Sequence, residues 1–228
     1  MTNKEFTNKL ILGDKNKKNI LFSILVAVSF SSLSQPSDFK LIAGAAKTEI
    51  EKKIVTEAKK ITSLQCRFEQ EKTSVLLTEK VVSKGILMYK LPASLRWEYT
   101  EPNKHILVFH QGNATMKDEK GTVIQANKML KQLGNFIISA INGQSLTDNS
   151  NFQIEYYENE KNKQIIWVKL IPIPKKLKEM YNSIQIKIST TDYLASEIIM
   201  EEKSGDKMKI ILLEKKINEN IPTNSFSL

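Results

Sequence analysis

The segment over residues 83–113, SKGILMYKLPASLRWEYTEPNKHILVFHQGN, admits few folds. It reads as three short strands over 85–90, 95–99 and 105–110. Leu91-Pro92-Ala93-Ser94 and Glu101-Pro102-Asn103-Lys104 turn the chain between them, and Gln111-Gly112-Asn113 closes the third. Proline fixes φ and donates no hydrogen bond, so each one ends a strand. On the middle strand Leu95, Trp97 and Tyr99 point one way, Arg96 and Glu98 the other. One face is apolar and aromatic, and the other is charged. What lies against the apolar face decides what such a sheet can do.

The flanking patterns supply material to cover it. Thr48-Glu49-Ile50-Glu51 has capping-box spacing, and Ile50, Ile54, Ala58 and Ile61 recur at helical intervals. This predicts an amphipathic helix over 48–61, or one starting earlier, near Asp38. Helical spacing returns over 127–141, where Met129, Leu130, Leu133, Phe136, Ile137, Ala140 and Ile141 form a broad apolar face. Gly134 inside it costs about 1 kcal/mol against alanine, which predicts a kinked helix or two short ones. Asn142-Gly143 suits a left-handed cap.

Elsewhere the period is two. Leu64, Cys66, Phe68 and Gln70 begin a strand, and 75–82 holds a turn or the start of its partner. A short strand is expected over 121–124. Residues 152–158 pair with 164–171 across a polar turn, and Pro172 and Pro174 end the second strand. Residues 175–182 can form a helical turn or two. Strands follow over 183–189, 195–202 and 207–215, the last two forming a hairpin around Ser204-Gly205-Asp206. A polar tail over 222–228 carries Phe226. Many antiparallel strands and a few apolar-faced helices define an α+β fold: one strongly curved sheet with helices against its concave side.

Residues 1–34 read as an address. Lys15, Lys17 and Lys18 precede the apolar run ILFSILVAVSF, and Ser32-Leu33-Ser34 offers a cleavage site before Gln35. These are the parts of a secretory signal peptide. The run is short for a membrane span, which needs about 20 residues; the alternative is an uncleaved anchor. The remainder, 35–228, reads as a single domain. The formal charge is +9, falling to +6 without residues 1–34, which hold five lysines and two acids. The lysines are spread singly, with no Arg-rich stripe or nucleic-acid motif, so no nucleic-acid partner is expected. The lone cysteine, Cys66, cannot form an internal disulfide and reads as a small core residue.

Enzyme signatures are missing. The chain lacks G-x-S-x-G, P-loop, Rossmann and H-E-x-x-H patterns. His105 and His110, five apart on one predicted strand, face opposite ways, which argues against a metal site or a nucleophile–base pair. Glu98 and Glu101 flank a turn, where charges are usually solvated. No catalytic residue, metal or cofactor is expected.

Phe68-Glu69-Gln70 after an amphipathic helix, a Gly85-led strand, Pro92, Arg96-Trp97-Glu98-Tyr99, Pro102, Val108 and Gly112 follow one another in a characteristic order. In this series the chain resembles the periplasmic outer-membrane lipoprotein carriers (LolA-like). The resemblance continues through Asn142-Gly143, the strand end at 170–174, residues 184–188, Gly205-Asp206 and Phe226. It implies an incomplete β-barrel with a helical lid, and a cavity that takes the acyl chains of lipoproteins. It also implies a periplasmic, monomeric carrier. An inner-membrane lipoprotein-releasing complex would load it and an outer-membrane acceptor would unload it. The expected acyl-lining residues are Phe68, Met88, Leu95, Trp97, Tyr99, Ile184, Ile186 and Ile188 from the sheet, with Met129, Leu133, Phe136 and Ile137 from the lid. Alternation sets Met88 against Leu87 and Tyr89, and the sequence does not say which of the two faces is concave. Family members often carry arginine immediately before the first proline of the opening segment, where it is linked to lid closure and handover. Here that residue is Leu91. Arg96 does not substitute, because it faces away from Trp97. A LolA-like sensor or scaffold that binds a protein partner is the alternative.

Overall fold

The computed structural model describes residues 38–76, 79–126 and 128–228, with the side chains of Lys128 and Met129 outside the description. The signal peptide read over 1–34 also lies outside the described residues. Twelve strands form one sheet: β1 (Phe39–Ile42), β2 (Ser63–Thr73), β3 (Val81–Lys90), β4 (Ser94–Glu101), β5 (His105–His110), β6 (Asn113–Lys117), β7 (Val123–Gln125), β8 (Phe152–Asn159), β9 (Ile165–Pro172), β10 (Tyr181–Ser189), β11 (Ala195–Glu202) and β12 (Lys207–Ile217). Their spatial order is β1-β8-β9-β10-β11-β12-β2-β3-β4-β5-β6-β7, and every neighbouring pair is antiparallel. The sheet is strongly curved but not closed, with β1 and β7 at its edges. Helices α1 (Gly44–Ala58) and α2 (Lys128–Ile141) cover the concave face. The short α3 (Lys175–Lys178) links β9 to β10, and a 3-10 turn spans Thr223–Phe226.

Two meanders, β8 to β12 and β2 to β7, make up this sheet, with β1 added at the edge beside β8. The pairing of β12 with β2 joins them and sets Leu212 opposite Phe68. The three opening strands form as expected, each somewhat longer than its apolar run. Edge strand β1 and strand β6 go beyond the sequence pattern. Gln111 and Gly112, at φ 50° and 77°, form a two-residue turn with both central residues in the left-handed region. That geometry matches the twist of a tight hairpin, so the chain returns at once as β6, with Asn113 opposite His110.

Both helices differ from expectation in an informative way. α1 starts at Gly44, one turn before the capping box. Gly44 has φ +60°, a left-handed conformation that turns the chain sharply out of β1 and sets the helix start by backbone geometry. Ala43 at the N-cap makes no side-chain cap, and Thr48 lies inside the helix. α2 is one continuous helix through Gly134. The glycine serves packing there: an added Cβ would stand 1.9 Å from Cζ of Phe109. Gly143, at φ +79°, ends the segment in the left-handed conformation expected of it.

Alternation along the strands builds the core. Phe68, Leu87, Leu95, Trp97, Tyr156, Val168, Ile186, Ile188 and Ile210 all turn inward and are buried in one cluster with Ile54 of α1 and Ile137 of α2. Cys66 is part of it, and burial pushes its thiol up to about 12. The outer face of β3–β5 carries a second, small cluster of Val108, Ile221 and Phe226, with Met88 and Ile106 against it. The C-terminal tail lies across this face. Arg96 donates from Nη1 to the carbonyls of Ser225 (3.1 Å) and Ser227 (3.2 Å), and Lys90 Nζ to that of Ile221 (2.6 Å).

Candidate acyl-binding site

The concave face and α2 together make the candidate site. α2 rests on the sheet through apolar side chains, with Ile137, Ile138, Ala140 and Ile141 buried. Under its C-terminal half the fit is close. The seam bordered by Leu64, Leu87, Ile137, Ile141, Ile198 and Leu212 encloses only about 10 Å³. That is at the lower limit for one water molecule. Beside the helix, on the side that faces α3, the packing is more open. A cavity of about 360 Å³ opens there between α2, α3 and strands β8, β10 and β11. Leu133, Phe136, Phe152, Met180, Ile184 and Met200 line it, with Gln132, Asn151 and Lys176 as polar members.

Of the acyl-lining residues read from the sequence, Leu133, Phe136 and Ile184 meet at this cavity. Phe68, Leu95, Trp97, Ile137, Ile186 and Ile188 face the same interior but are fully packed. Their rings fit closely: the Phe68 and Trp97 centroids are 4.7 Å apart, and Phe68 meets Tyr99 edge-on at 5.2 Å. Tyr99 sits at a more polar end. Its hydroxyl donates to Gln70 Oε1 at 2.8 Å, its ring stacks on His105 at 4.1 Å, and burial pushes the phenol up to about 12. Burial likewise lowers His105 below the usual histidine value. Met88 is a correction. It pairs with Arg96 in register and packs on Val108 and Phe226, outside the interior, because the concave side is the face of Leu87 and Tyr89. The side chain of Met129 lies outside the described residues.

Phe152, Leu177, Met180 and Met200 complete the cavity and were not singled out in the sequence. Met200 could have been found, since it alternates with Ile198 on a predicted strand. Leu177 and Met180 sit in a lysine-rich turn whose apolar residues carry no readable period.

Three features hold the lid elements down. Phe109 seats under Gly134. The backbone of Gly143 approaches Ala58 and Val55 of α1 so closely that an added Cβ would stand 3.0 Å from the alanine methyl, which brings the end of α2 against α1. The buried hydroxyl of Tyr156 donates to the carbonyl of Leu146, just beyond α2. Leu91 stands nearby. It is 45% exposed and lies between a crevice of about 470 Å³ against α1 and the 142–147 loop, and one of about 510 Å³ reaching His110 and Phe226. A leucine there offers the lid no side-chain hydrogen bond.

The polar residues form no catalytic constellation among the described residues. His105 and His110 face opposite sides of β5; His110 Nδ1 is 2.8 Å from Ser94 Oγ on the outer face. Glu98 pairs with Arg96 at 2.8 Å, and Glu101 with Lys84 at 3.9 Å, so the two carboxylates serve separate partners. No described group of three or more His, Cys, Asp or Glu side chains is placed to hold a metal. No described helix is long and apolar enough to cross a membrane.

An open antiparallel sheet with a helical lid over an apolar concave face defines the class. Residues 59–228 match the outer membrane lipoprotein carrier protein LolA family, and the chain belongs to it. Among solved structures it resembles MucB, with 10% identity over 81% of this chain and a TM-score of 0.50. It spans 64% of that MucB chain, and the likeness is one of fold. The MucA/MucB complex of Pseudomonas aeruginosa (8% identity, 80% of this chain and 61% of that one, TM-score 0.48) and a LolA superfamily protein of Nitrosomonas europaea (12%, 78% and 97%, 0.43) are also similar. No curated protein matches the sequence significantly.

Proposed function

We propose that this protein is a periplasmic carrier. A signal peptide over residues 1–34 exports it, and the domain over 35–228 holds the acyl chains of lipoproteins between sheet and lid. An inner-membrane releasing complex loads it and an outer-membrane acceptor unloads it. The observation that carries this reading is the apolar cavity of about 360 Å³ between α2, α3 and strands β8, β10 and β11. It is a starting point for a chain end; taking more requires α2 to lift. Lifting removes Ile137, Ile138 and Ile141 from the interior, and each buried methylene of an incoming chain restores about 0.8 kcal/mol. Like replaces like, so loading and unloading stay near balance and need no hydrolysis by the carrier itself.

Mass spectrometry of organic extracts, from protein purified out of its native envelope, tests this directly. An acylated species near one per chain is expected. Trp97→Ala and Leu133→Asp should impair release of lipoproteins from inner-membrane vesicles. An empty protein whose substitutions leave release unchanged refutes the carrier.

A second reading has one observation in its favour: the nearly void-free seam under the C-terminal half of α2. A sensor or scaffold that binds a protein partner needs no interior space. A stoichiometric partner co-purifying with a ligand-free interior supports that reading over the first.

A further inference from the structure

The end of the sheet that carries the cavity also carries the most exposed apolar side chains. Leu76 is 88% exposed and Val75 66%, more than any other large apolar residue among those described. Both lie in the turn that follows β2, and the exposed Val81 and Val82 open β3. The hairpin stands clear on its β3 side, because pairing with β4 begins only at Lys84. Its base is fixed. Asp206 Oδ1 accepts from Ser74 Oγ at 2.9 Å and from the Val75 amide at 3.1 Å, and a Val75 methyl lies against Gly205. The charges around it are matched. Lys80 pairs with Glu71 at 3.5 Å, Lys84 with Glu101 at 3.9 Å and Lys207 with Glu201 at 3.9 Å, and the exposed Lys72 and Glu79 are of opposite sign.

One row of strand partners joins this tip to the cavity. Ile184 pairs with Met200, Met200 with Met208, Met208 with Lys72, and Lys72 with Val81. Ile184 and Met200 line the cavity. Val81 stands three strands beyond Met200, about 14 Å along the sheet. Leu76 projects from the fold rather than lining a groove, and the matched charges at the hairpin give a protein partner little to read. What the tip gains is removal of aliphatic surface from water, and a lipid interface supplies that without a shaped pocket. We propose that the β2–β3 hairpin inserts Val75 and Leu76, with Val81 and Val82 behind them, into the interface of a lipid bilayer, which sets the cavity close to the membrane surface. A few aliphatic side chains with no lysine cluster on the hairpin make a weak, reversible contact, as a carrier that must leave the bilayer requires. That use rests on the acyl-binding reading above; the insertion itself does not.

The test is partition onto phosphatidylcholine vesicles, read by flotation, with the protein in the form that its native envelope processes. Neutral lipid and about 1 M salt, where charges are screened beyond about 3 Å, leave lysines elsewhere on the surface without effect. Leu76→Ser combined with Val81→Thr should weaken partition about tenfold. Leu76→Trp should strengthen it and add an emission band that shifts to the blue on vesicles. Both positions are exposed, and circular dichroism checks the fold. A benzophenone attached at Leu76→Cys should cross-link to phospholipid when the protein meets native envelope vesicles; Cys66 is buried and stays unlabelled. Partition that neither the double variant nor Leu76→Trp changes overturns the inference. A protein adduct as the main product overturns it too, as does self-association that the double variant abolishes, since either places another occupant on the tip. All three outcomes leave the carrier reading standing, because that reading is decided separately by the native extract.

Discussion

Phe109 and Gly134 are fitted to one another. The ring projects inward from β5 and occupies the space where a side chain at Gly134 would begin, 1.9 Å from Cζ. A helix former at this position would separate lid from sheet. The lid therefore closes through a missing side chain, and its stability can be tuned at that point.

Gly134→Ala should lower stability although alanine favours helix. The propensity gain of about 1 kcal/mol is outweighed by overpacking, which costs about 1–3 kcal/mol in a tight core. Phe109→Leu should relieve the conflict. Urea unfolding of the two single variants and the double one should show a coupling above about 0.5 kcal/mol. Additive effects would mean that the helix shifts freely on the sheet.

Tyr156→Phe should loosen the far end of the lid. It leaves the Leu146 carbonyl without the buried hydroxyl that donates to it, at a cost of about 1–3 kcal/mol. Hydrogen exchange should quicken in 138–147 before it does in β9 and β10. A uniform change would show that the hydroxyl supports the whole core and not the lid.

Cys66 reports lid opening. Burial pushes its thiol up to about 12 from 9.0, so at pH 8 it is almost wholly protonated and shielded. A disulfide reagent should modify it far more slowly in the native protein than in urea. A bound acyl chain that props the lid open should alter the native rate. Immediate native labelling would contradict the closed interior.

Stability should fall in alkali. Cys66, Tyr99 and Tyr156 are all held protonated by burial, above their ordinary values of 9.0 and 10.0. The folded state then binds more protons than the unfolded one above pH 9, so unfolding becomes easier as pH rises. The contribution is intact below pH 9 and is lost progressively towards pH 12. Thermal unfolding between pH 7 and 11 measures this, and a flat profile would contradict the assigned burial.

Arg96→Ala should free the C-terminal tail. It removes two hydrogen bonds to tail carbonyls and an ion pair with Glu98, costing about 1–3 kcal/mol. Limited proteolysis should then cut within 218–228 while the sheet stays intact. Tail protection unchanged from the native protein would assign the clasp to Phe226 and Ile221 alone.

The sequence by itself determined the elements and their two-sidedness. Alternation along 85–110 and 183–189 separated an apolar from a polar side, and the prolines marked the turns, because both signals are written within a few residues. It also determined that α2 must cover something, since Leu133, Phe136 and Ile137 share a face. Only the tertiary structure decided which side of β3 is concave. The difference between Leu87 and Met88 depends on how twelve strands curve together and on where the tail over 218–228 comes to rest, and no local period encodes either. The same holds for the space left over. The seam at Ile137 is filled and the cavity at Phe136 is open because α3 and α2 meet the sheet from residues far apart in the chain. Packing between distant elements thus placed α3 beside an apolar cavity that α2 borders, and gave Gly134 a purpose that helix propensity alone does not.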